Sequence, residues 1–183
     1  MTFALWITGL PGSGKSTIAM ELLKKLDAEY LRLDEFRKEI VPDPQYSEEE
    51  RDFVYGKLAE KAGSIFGSGR SVLIDATAHR KRWRDAARRA IPNFIEVRVK
   101  CDLMTCVDRE SKREQGLVTA DLYRKAIERR RTGKSKKGLG EVVGVDVEFE
   151  EGSPDIVVES DRLAADESAE KILEAIKRKG YLK

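Results

Sequence analysis

The sequence predicts an α/β fold in which a parallel five-stranded β-sheet carries helices on both faces, a three-layer sandwich forming one domain over residues 1–183. Three observations predict it. Short apolar runs rich in β-favouring residues alternate with longer segments whose apolar residues recur at helical spacing. A glycine-rich loop joins the first strand to the first helix. Later runs, such as residues 71–74, lack polar alternation, which is typical of parallel strands covered on both faces.

The elements follow in order from local signals. Strands are predicted at residues 3–8, 30–33, 71–74, 94–99 and 156–158. The first helix spans residues 15–26, because Ile18, Leu22 and Leu26 recur at helical spacing. Further helices are predicted at residues 80–90, 103–114, 120–131 and 166–179.

The second strand leads into residues 34–40, which turn away from it, and a break follows at Pro42 and Pro44. Ser47, with Glu50 three residues later, has the pattern of a capping box that opens a helix running to about residue 66. Residues 115–150 carry glycine and charge in place of periodicity. This stretch is therefore predicted to be a mobile basic lid over a site.

Composition excludes several classes of protein. Lys and Arg number 35 against 33 Asp and Glu, so a 37% charged chain carries a net charge of only +2. That balance argues against a polycationic nucleic-acid binder and against an acidic disordered chain. Cys101 and Cys106 fit neither a disulfide framework nor a metal site. With no signal peptide and no membrane-spanning run, a soluble cytoplasmic protein is expected.

The strongest motif is a phosphate-binding loop (P-loop). Residues 9–16 read Gly-Leu-Pro-Gly-Ser-Gly-Lys-Ser and match G-x-x-x-x-G-K-[ST] in full, between a strand and a helix. Its backbone N–H groups and the helix N-terminus favour phosphate. Lys15 is predicted to reach the β- and γ-phosphates and Ser16 to ligate Mg²⁺. The predicted ATP-binding residues of the loop are Gly9, Leu10, Pro11, Gly12, Ser13, Gly14, Lys15, Ser16 and Thr17.

Other sequence features distinguish among the classes of P-loop protein. The Asn-Lys-x-Asp and Asp-x-x-Gly motifs of GTPases are absent, and Asp75 stands alone where motor ATPases keep two carboxylates. A compact chain with a basic flap is typical of a kinase that closes a lid over the phosphates. Asp34 follows the second strand, so it is expected in the crevice near the γ-phosphate, where a carboxylate takes a proton from an acceptor hydroxyl. Arg37, one helical turn on, is expected to bind an anionic acceptor.

Several segments together resemble the adenylylsulfate kinase family. Residues 9–17 read like its P-loop, and residues 31–37 stand where its Leu-Asp-Gly-Asp-x-x-Arg motif belongs. Ser47 and Arg51 match its Ser-x-x-x-Arg helix start, and residues 79–80 and 84–88 are similar to its Tyr-Arg and Arg-Asp-x-x-Arg stretches. Further similar segments are residues 94–99, 122–126 and 144–150.

The resemblance implies transfer of a phosphoryl group from ATP to the 3′-hydroxyl of adenylyl sulfate. It implies that Asp34 is the base and that Lys15 clamps the phosphates. Arg109 matches an arginine that flanks the ATP adenine. The acceptor-binding residues on this interpretation are Asp34, Arg37, Arg51, Asp75 and Arg80. The departures lie on the acceptor side: residues 140–144 read Gly-Glu-Val-Val-Gly where the family lid has Lys-Gly-Phe-Thr-Gly.

These departures leave alternatives open. Residues 72–77 are similar to the strand-Asp stretch of seryl-tRNA kinases and polynucleotide-kinase-like proteins, where Asp75 would lie in the phosphate crevice. Basic segments at residues 80–89 and 129–137 fit an anionic acceptor, a small molecule or an RNA. A nucleoside, an amino acid or a seryl-tRNA is the alternative acceptor, and a non-catalytic ATP-binding regulator is the weaker alternative. The sequence does not determine the oligomeric state; a homodimer is one expectation.

Overall fold

The computed structural model describes residues 1–112, 121–134 and 139–182, and a parallel five-stranded sheet forms its centre. The strands are β1 (Ala4–Gly9), β2 (Ala28–Arg32), β3 (Ser71–Asp75), β4 (Phe94–Lys100) and β5 (Ile156–Glu159). Their order across the sheet is β2-β3-β1-β4-β5, and every neighbouring pair is parallel. The predicted α/β fold is confirmed. All strand carboxyl ends therefore meet at one edge of the sheet.

The helices of the described residues are α1 (Lys15–Leu23), α2 (Leu33–Ile40), α3 (Glu48–Gly67), α4 (Lys81–Ala90), α5 (Leu103–Ser111), α6 (Leu122–Thr132) and α7 (Ala165–Arg178). The predicted ends of two helices, at residues 113–114 and 120, lie outside the described residues. No helix of the described ranges has the length and apolarity required to cross a membrane.

Several predicted boundaries differ from the observed ones, and two of these differences have a physical reason that the contacts show. The second strand ends at Arg32, because Leu33 and Asp34 already form the first turn of α2, where acidic residues favour the helix start. Helix α1 ends at Leu23 and not at residue 26. The N–H groups of Lys25 and Leu26 both donate to the Leu22 carbonyl at 2.9 Å, which closes the last turn. Leu26 is nevertheless buried, which explains its apolar spacing.

Strand β1 divides the core because its side chains alternate between the two faces of the sheet. Leu5 and Ile7 pack with α1 and α7, whereas Ala4 and Trp6 pack with α3 and α4. Tyr55 of α3 stacks on Trp83 of α4, with ring centroids 4.0 Å apart. Both faces of the central strand are thus fully covered, which fixes the P-loop that leaves its carboxyl end.

A smaller cluster joins α5, α6 and residues 139–145 beside the P-loop. It contains Cys106, Tyr123, Ala126, Leu139 and Val142, and the Tyr123 hydroxyl donates to the Pro11 carbonyl at 2.8 Å. The described part of the predicted lid, residues 121–134 and 139–150, therefore packs against the loop. Residues 115–120 and 135–138 of that lid, including two lysines of the second basic segment, lie outside the described residues.

Candidate active site

The P-loop occupies the predicted strand–loop–helix junction. Strand β1 ends at Gly9, and α1 begins at Lys15 with Gly14 as its N-cap in the left-handed region, at φ 88°. Gly12 has φ 79°, and a Cβ there would overlap the carbonyl oxygen of Cys106. Only glycine fits this point, because the loop turns while touching α5. The side chain of Lys15 is buried and donates from Nζ to the Leu10 carbonyl at 2.7 Å.

A cavity opens beside the start of α1. Its lining residues are Gly14, Thr17, Ile18, Arg109, Ser160, Leu163, Ala164 and Ala165. Arg109 donates from Nη2 to the Ser160 carbonyl at 2.8 Å, and the Ser160 hydroxyl donates to the Ser13 carbonyl at 2.7 Å. Arg109 thus lies next to the P-loop, as the sequence predicts. We call this the donor cavity, because its aliphatic wall and arginine suit the flat ring of a nucleotide.

Two carboxylates stand at the carboxyl ends of neighbouring strands. Asp75 ends β3 and is buried, and the Tyr30 hydroxyl donates to its Oδ2 at 3.0 Å. Asp34 lies in the first turn of α2. Burial raises the pKa of Asp34, the charge of Asp75 raises it further, and Lys15 opposes both. The sheet therefore brings Lys15, Asp34 and Asp75 within electrostatic reach of one another.

The donor set at this edge suits a hard cation. Ser16 is half-buried in the first turn of α1, directly after Lys15, whose charge acts on the Asp34 carboxylate. Across the residues that the structure describes, no three His, Cys, Asp or Glu side chains converge as a ligand group. Oxygen donors in small number fit Mg²⁺, which keeps several waters and binds through substrate phosphates. They do not fit a structural zinc site.

A second cavity lies on the other side of Asp34. Besides Asp34 it is lined by Arg37 and Arg51, which the sequence predicts as acceptor-binding residues, and by Pro11, Leu33, Tyr46, Tyr55, Thr77, His79, Leu122 and residues 139–143. We call it the acceptor cavity. Three of the five predicted acceptor residues meet on its wall. Asp75 and Arg80 are not part of that wall.

Glu50 organises one wall of the acceptor cavity. The Glu50 N–H donates to the Ser47 hydroxyl at 3.1 Å, as in the predicted capping box. The reciprocal half is wrong, because the Glu50 carboxylate instead accepts the N–H groups of Gln45 and Tyr46, at 2.6 and 3.0 Å. It also accepts from Arg37 Nη1 at 2.5 Å, and both partners are buried. The Arg37 guanidinium lies over the Tyr46 ring, 5.0 Å from its centroid.

Arg51 connects this wall to the lid. Its Nη2 donates to the Glu141 carbonyl at 2.7 Å, and its Nε donates to the Tyr46 carbonyl at 3.2 Å. A Cβ on Gly140 would overlap the Cβ of Tyr46, so the lid segment can approach Tyr46 this closely only because residue 140 is glycine. The lid segment is held from its other side by Arg129, which donates to the Leu139 carbonyl at 2.7 Å. The acceptor cavity is therefore roofed.

His79 is a wall residue that the sequence did not single out for function. It is buried with its ring edge-on to Trp83, 5.0 Å between centroids. Burial, with the charges of Arg51 and Arg80, lowers the pKa of His79 to about 3, so the ring is neutral. Its neighbour Ala78 has φ 46°, and Tyr46 has φ 58°. Two non-glycine residues with left-handed backbone conformation thus lie beside the acceptor cavity. Their residue types do not predict this conformation.

The first basic segment is largely neutralised by acids. Five of its six cations form ion pairs: Arg80 with Glu150 at 3.0 Å, Lys81 with Asp85 at 2.5 Å, Arg82 with Asp52 at 2.7 Å, Arg84 with Glu96 at 2.9 Å and Arg88 with Asp155 at 2.9 Å. The structure places Arg80 in this network, away from the acceptor cavity. A predicted RNA acceptor gains no support from a surface so paired.

Comparisons with known proteins agree with this geometry. A family model described as an AAA domain matches residues 5–133. A probable adenylyl-sulfate kinase of Archaeoglobus fulgidus is 33% identical over 168 residues, covering 88% of this chain and 98% of that protein. A cytidine diphosphoramidate kinase of Campylobacter jejuni is 30% identical over 161 residues, covering 85% of each. The structure titled as Mycobacterium tuberculosis APS kinase CysC in complex with AMPPNP and APS has a TM-score of 0.77 and 26% identity, covering 96% of this chain and 98% of that one.

The fold and the loop define the class first: a P-loop kinase, which is a phosphotransferase with an alcohol group as acceptor. Identity across nearly the full length of a relative then narrows the class. The chain belongs to the AAA-domain family that matches residues 5–133 and to the adenylyl-sulfate kinase family. The resemblance inferred from the sequence motifs is confirmed.

Proposed function

We propose that the chain transfers the γ-phosphoryl group of ATP to the 3′-hydroxyl of adenylyl sulfate. The observation that carries the proposal is the position of Asp34. Its carboxylate lines the acceptor cavity and is also within electrostatic reach of Lys15 of the P-loop. A group placed between a phosphate loop and an anion-binding cavity can act on both substrates.

On the donor side, the P-loop N–H groups and Lys15 bind the phosphates, and Arg109 flanks the adenine in the donor cavity. The chemistry needs Mg²⁺, which neutralises charge on the phosphates when bound, and Ser16 is the residue that holds it. Gly9–Gly14 give the loop its curvature. These roles are those that the sequence predicts.

On the acceptor side, Arg37 and Arg51 bind the anionic group of the acceptor, because guanidinium groups match sulfate and phosphate oxygens. Asp34 orients the acceptor 3′-hydroxyl and takes its proton as the hydroxyl oxygen attacks phosphorus. The raised pKa of Asp34 makes it a stronger base than an exposed aspartate and brings it nearer to the working pH. Asp75 supports this role by raising that pKa.

The test is turnover against an acceptor panel. ADP release is measured with ATP and adenylyl sulfate, then with nucleosides, hydroxyl amino acids, tRNA and a cytidine diphosphate derivative. Saturable turnover with adenylyl sulfate, lost in Asp34→Asn, supports the proposal. No turnover at saturating adenylyl sulfate, with turnover of another member of the panel, refutes it.

A second acceptor is favoured by one observation. The relative named as a cytidine diphosphoramidate kinase is nearly as similar to this chain as the adenylyl-sulfate kinase relative. The lid residues Val142 and Val143, which line the acceptor cavity, are aliphatic and make no base-specific hydrogen bond through their side chains. The cytidine arm of the panel is included for this reason. We also infer a cytoplasmic enzyme, because ATP is its donor and its cysteines are unpaired, and a homodimer, which light scattering tests.

A further inference from the structure

The two cysteines of the chain occupy the positions of a hydrophobic staple at the start of α5. Asp102 caps this helix, its Oδ1 accepting the Met104 N–H at 2.8 Å. Cys101 precedes the cap and Cys106 is the fourth residue of the helix, the two positions whose side chains pack together at a helix start. Cys101 packs against the apolar cluster that contains Cys106. A contact that is usually made by two hydrocarbon side chains is made here by two thiols.

The two thiols differ in access. Cys101 is half-buried and lines a charged surface cavity with Arg98, Lys100 and Arg162 among its walls. Cys106 is fully buried, and burial together with the neighbouring thiol raises its pKa to about 12. A reagent in solvent therefore meets Cys101, and Cys106 is reached only through Cys101.

The pair is connected to the donor cavity by direct contacts. Arg109 donates from Nη1 to the Cys101 sulfur at 3.6 Å and from Nη2 to the Ser160 carbonyl at 2.8 Å. The Ser160 hydroxyl in turn donates to the Ser13 carbonyl of the P-loop. The carbonyl of Cys106 packs against Gly12. A change in the staple is thus transmitted to Arg109 and to the loop without crossing the sheet.

We propose that Cys101 and Cys106 form an oxidisable pair, and that their disulfide weakens ATP binding at the donor cavity. The oxidant is a small-molecule disulfide. The Cys101 thiolate attacks one of its sulfurs, forming a mixed disulfide and releasing one thiol. Cys106 then attacks the Cys101 sulfur, and its proton goes to the departing thiolate, which leaves as the second thiol. The protein loses two hydrogens and the oxidant is reduced to two thiols.

The expected consequence follows from bond length. A disulfide holds its sulfurs about 2.05 Å apart, closer than two thiols in van der Waals contact, so the Cys101 sulfur is drawn toward Cys106 and its 3.6 Å contact with Arg109 Nη1 is displaced. Arg109 then loses one of the contacts that orient it beside the donor cavity. The loss of one such hydrogen bond predicts an ATP dissociation constant raised about three- to tenfold.

The test uses the full chain and glutathione disulfide as the probe. Trypsin cleaves after Lys100 and after Arg109, so one peptide, residues 101–109, carries both cysteines. Its mass is expected to fall by about 2 Da on oxidation and to return with dithiothreitol. Calorimetry of ATP binding before and after oxidation measures the affinity without relying on turnover, so the result is independent of the acceptor proposed above.

Two variants serve as matched controls. Cys106→Ala should stop at the mixed disulfide on Cys101, and Cys101→Ala should not react, because the remaining thiol is buried. A wild-type peptide that stays unchanged, or carries only the mixed disulfide, overturns the proposal. So does an intramolecular disulfide that leaves the ATP dissociation constant within about twofold.

Discussion

The donor and acceptor cavities each include one residue of the P-loop, Gly14 and Pro11 respectively, but the two sides are built differently. The phosphate-binding part of the donor side is backbone: a loop of contiguous residues at the end of β1, whose glycines turn where side chains do not fit. The acceptor side is made of side chains from distant segments, with Arg37 on α2, Arg51 on α3, His79 before α4 and Gly140 in the lid. A backbone site tolerates little change in sequence, whereas a side-chain site is re-tuned one residue at a time.

This difference between the two cavities explains why relatives named for different acceptors match the chain about equally well. Kinases named for an adenylyl and for a cytidine acceptor match the chain at nearly the same identity. Relatives that share a backbone donor loop and differ in the side chains of the acceptor wall would match one chain in this way. Variants that act on one cavity and leave the other intact therefore test the division between them.

The largest effect is expected at Asp34, which lines the acceptor cavity and is within electrostatic reach of Lys15 of the P-loop. Asp34→Asn removes the proton acceptor and keeps the shape, so kcat should fall about 10³-fold, within the range of lost general-base catalysis. ATP affinity should stay within about twofold, because Asp34 is not part of the donor cavity. Steady-state kinetics and ATP calorimetry measure both quantities.

Glu35→Gln is the matched control, because Glu35 is the exposed neighbour that pairs with Arg32 at 2.6 Å. Its kcat should equal that of the wild type. If Asp34→Asn keeps kcat within tenfold, Asp34 is not the base, and Asp75 becomes the candidate.

Gly12→Ala should damage the donor side alone. Its Cβ would overlap the Cys106 carbonyl, and alanine is strained at φ 79°. The loop must shift, so kcat/KM for ATP should fall about 10²-fold, the cost of misplacing reacting groups by about 1 Å. The KM for the acceptor, measured at saturating ATP, should change far less. Gly56→Ala is the control, because nothing lies within 4 Å of a Cβ there.

The neutral His79 predicts a pH dependence of stability that belongs to the acceptor wall. Its pKa is about 3 in the folded chain and near 6.5 when unfolded, so between these values the unfolded chain binds the extra proton. The stabilisation that comes from the neutral His79 ring is present at pH 7 and is lost as the pH falls. From pH 7 to pH 5 the loss is about 2 kcal/mol, roughly 30-fold in the unfolding constant.

Urea unfolding of the wild type and His79→Gln at both pH values measures this loss. Other carboxyls titrate in both proteins, so the quantity of interest is the difference between them. Arg51, Arg80 and Arg84 oppose a charge on His79, and Glu150 favours it. Equal losses in the two proteins would mean that His79 takes up a proton in the folded state as readily as in the unfolded chain.

Gly140→Ala should act on the acceptor side alone, and it has the smallest of these effects. The added methyl group would press the lid away from Tyr46 and from Arg51. The lid is a surface segment and can move to relieve the overlap, which weakens its cover over the acceptor. The KM for the acceptor should therefore rise about tenfold with ATP affinity unchanged. An equal loss of affinity for both substrates would show that the two cavities are not independent.

Sequence alone predicted the donor side well and the acceptor side in part. The P-loop was found because its spacing is contiguous and each residue type has one physical reason. Arg37 was placed by its spacing from Asp34 and Arg51 by family resemblance, and both line the acceptor cavity. Arg80 was also predicted by family resemblance to bind the acceptor, yet it does not line the acceptor cavity. Its guanidinium pairs with Glu150, and a partner so distant in sequence is not visible in a local motif.

Other features left no trace in the sequence. The left-handed backbone of Tyr46 depends on Glu50 accepting its N–H and Arg51 bonding its carbonyl, contacts that spacing does not reveal. The single histidine looked incidental in a loop and is a buried wall residue. The capping-box pattern was half right, because the Glu50 carboxylate found stronger partners than the backbone of Ser47.

The bond from Arg51 to the lid carbonyl of Glu141 has a kinetic consequence. The Arg51 guanidinium, which would bind an incoming anionic acceptor, already donates a hydrogen bond to the lid segment that covers the cavity. An acceptor must either arrive while the lid is raised or break that bond to enter. Association of the acceptor should then be slower than diffusion allows and insensitive to solvent viscosity, whereas ATP enters a cavity to which this bond makes no contribution.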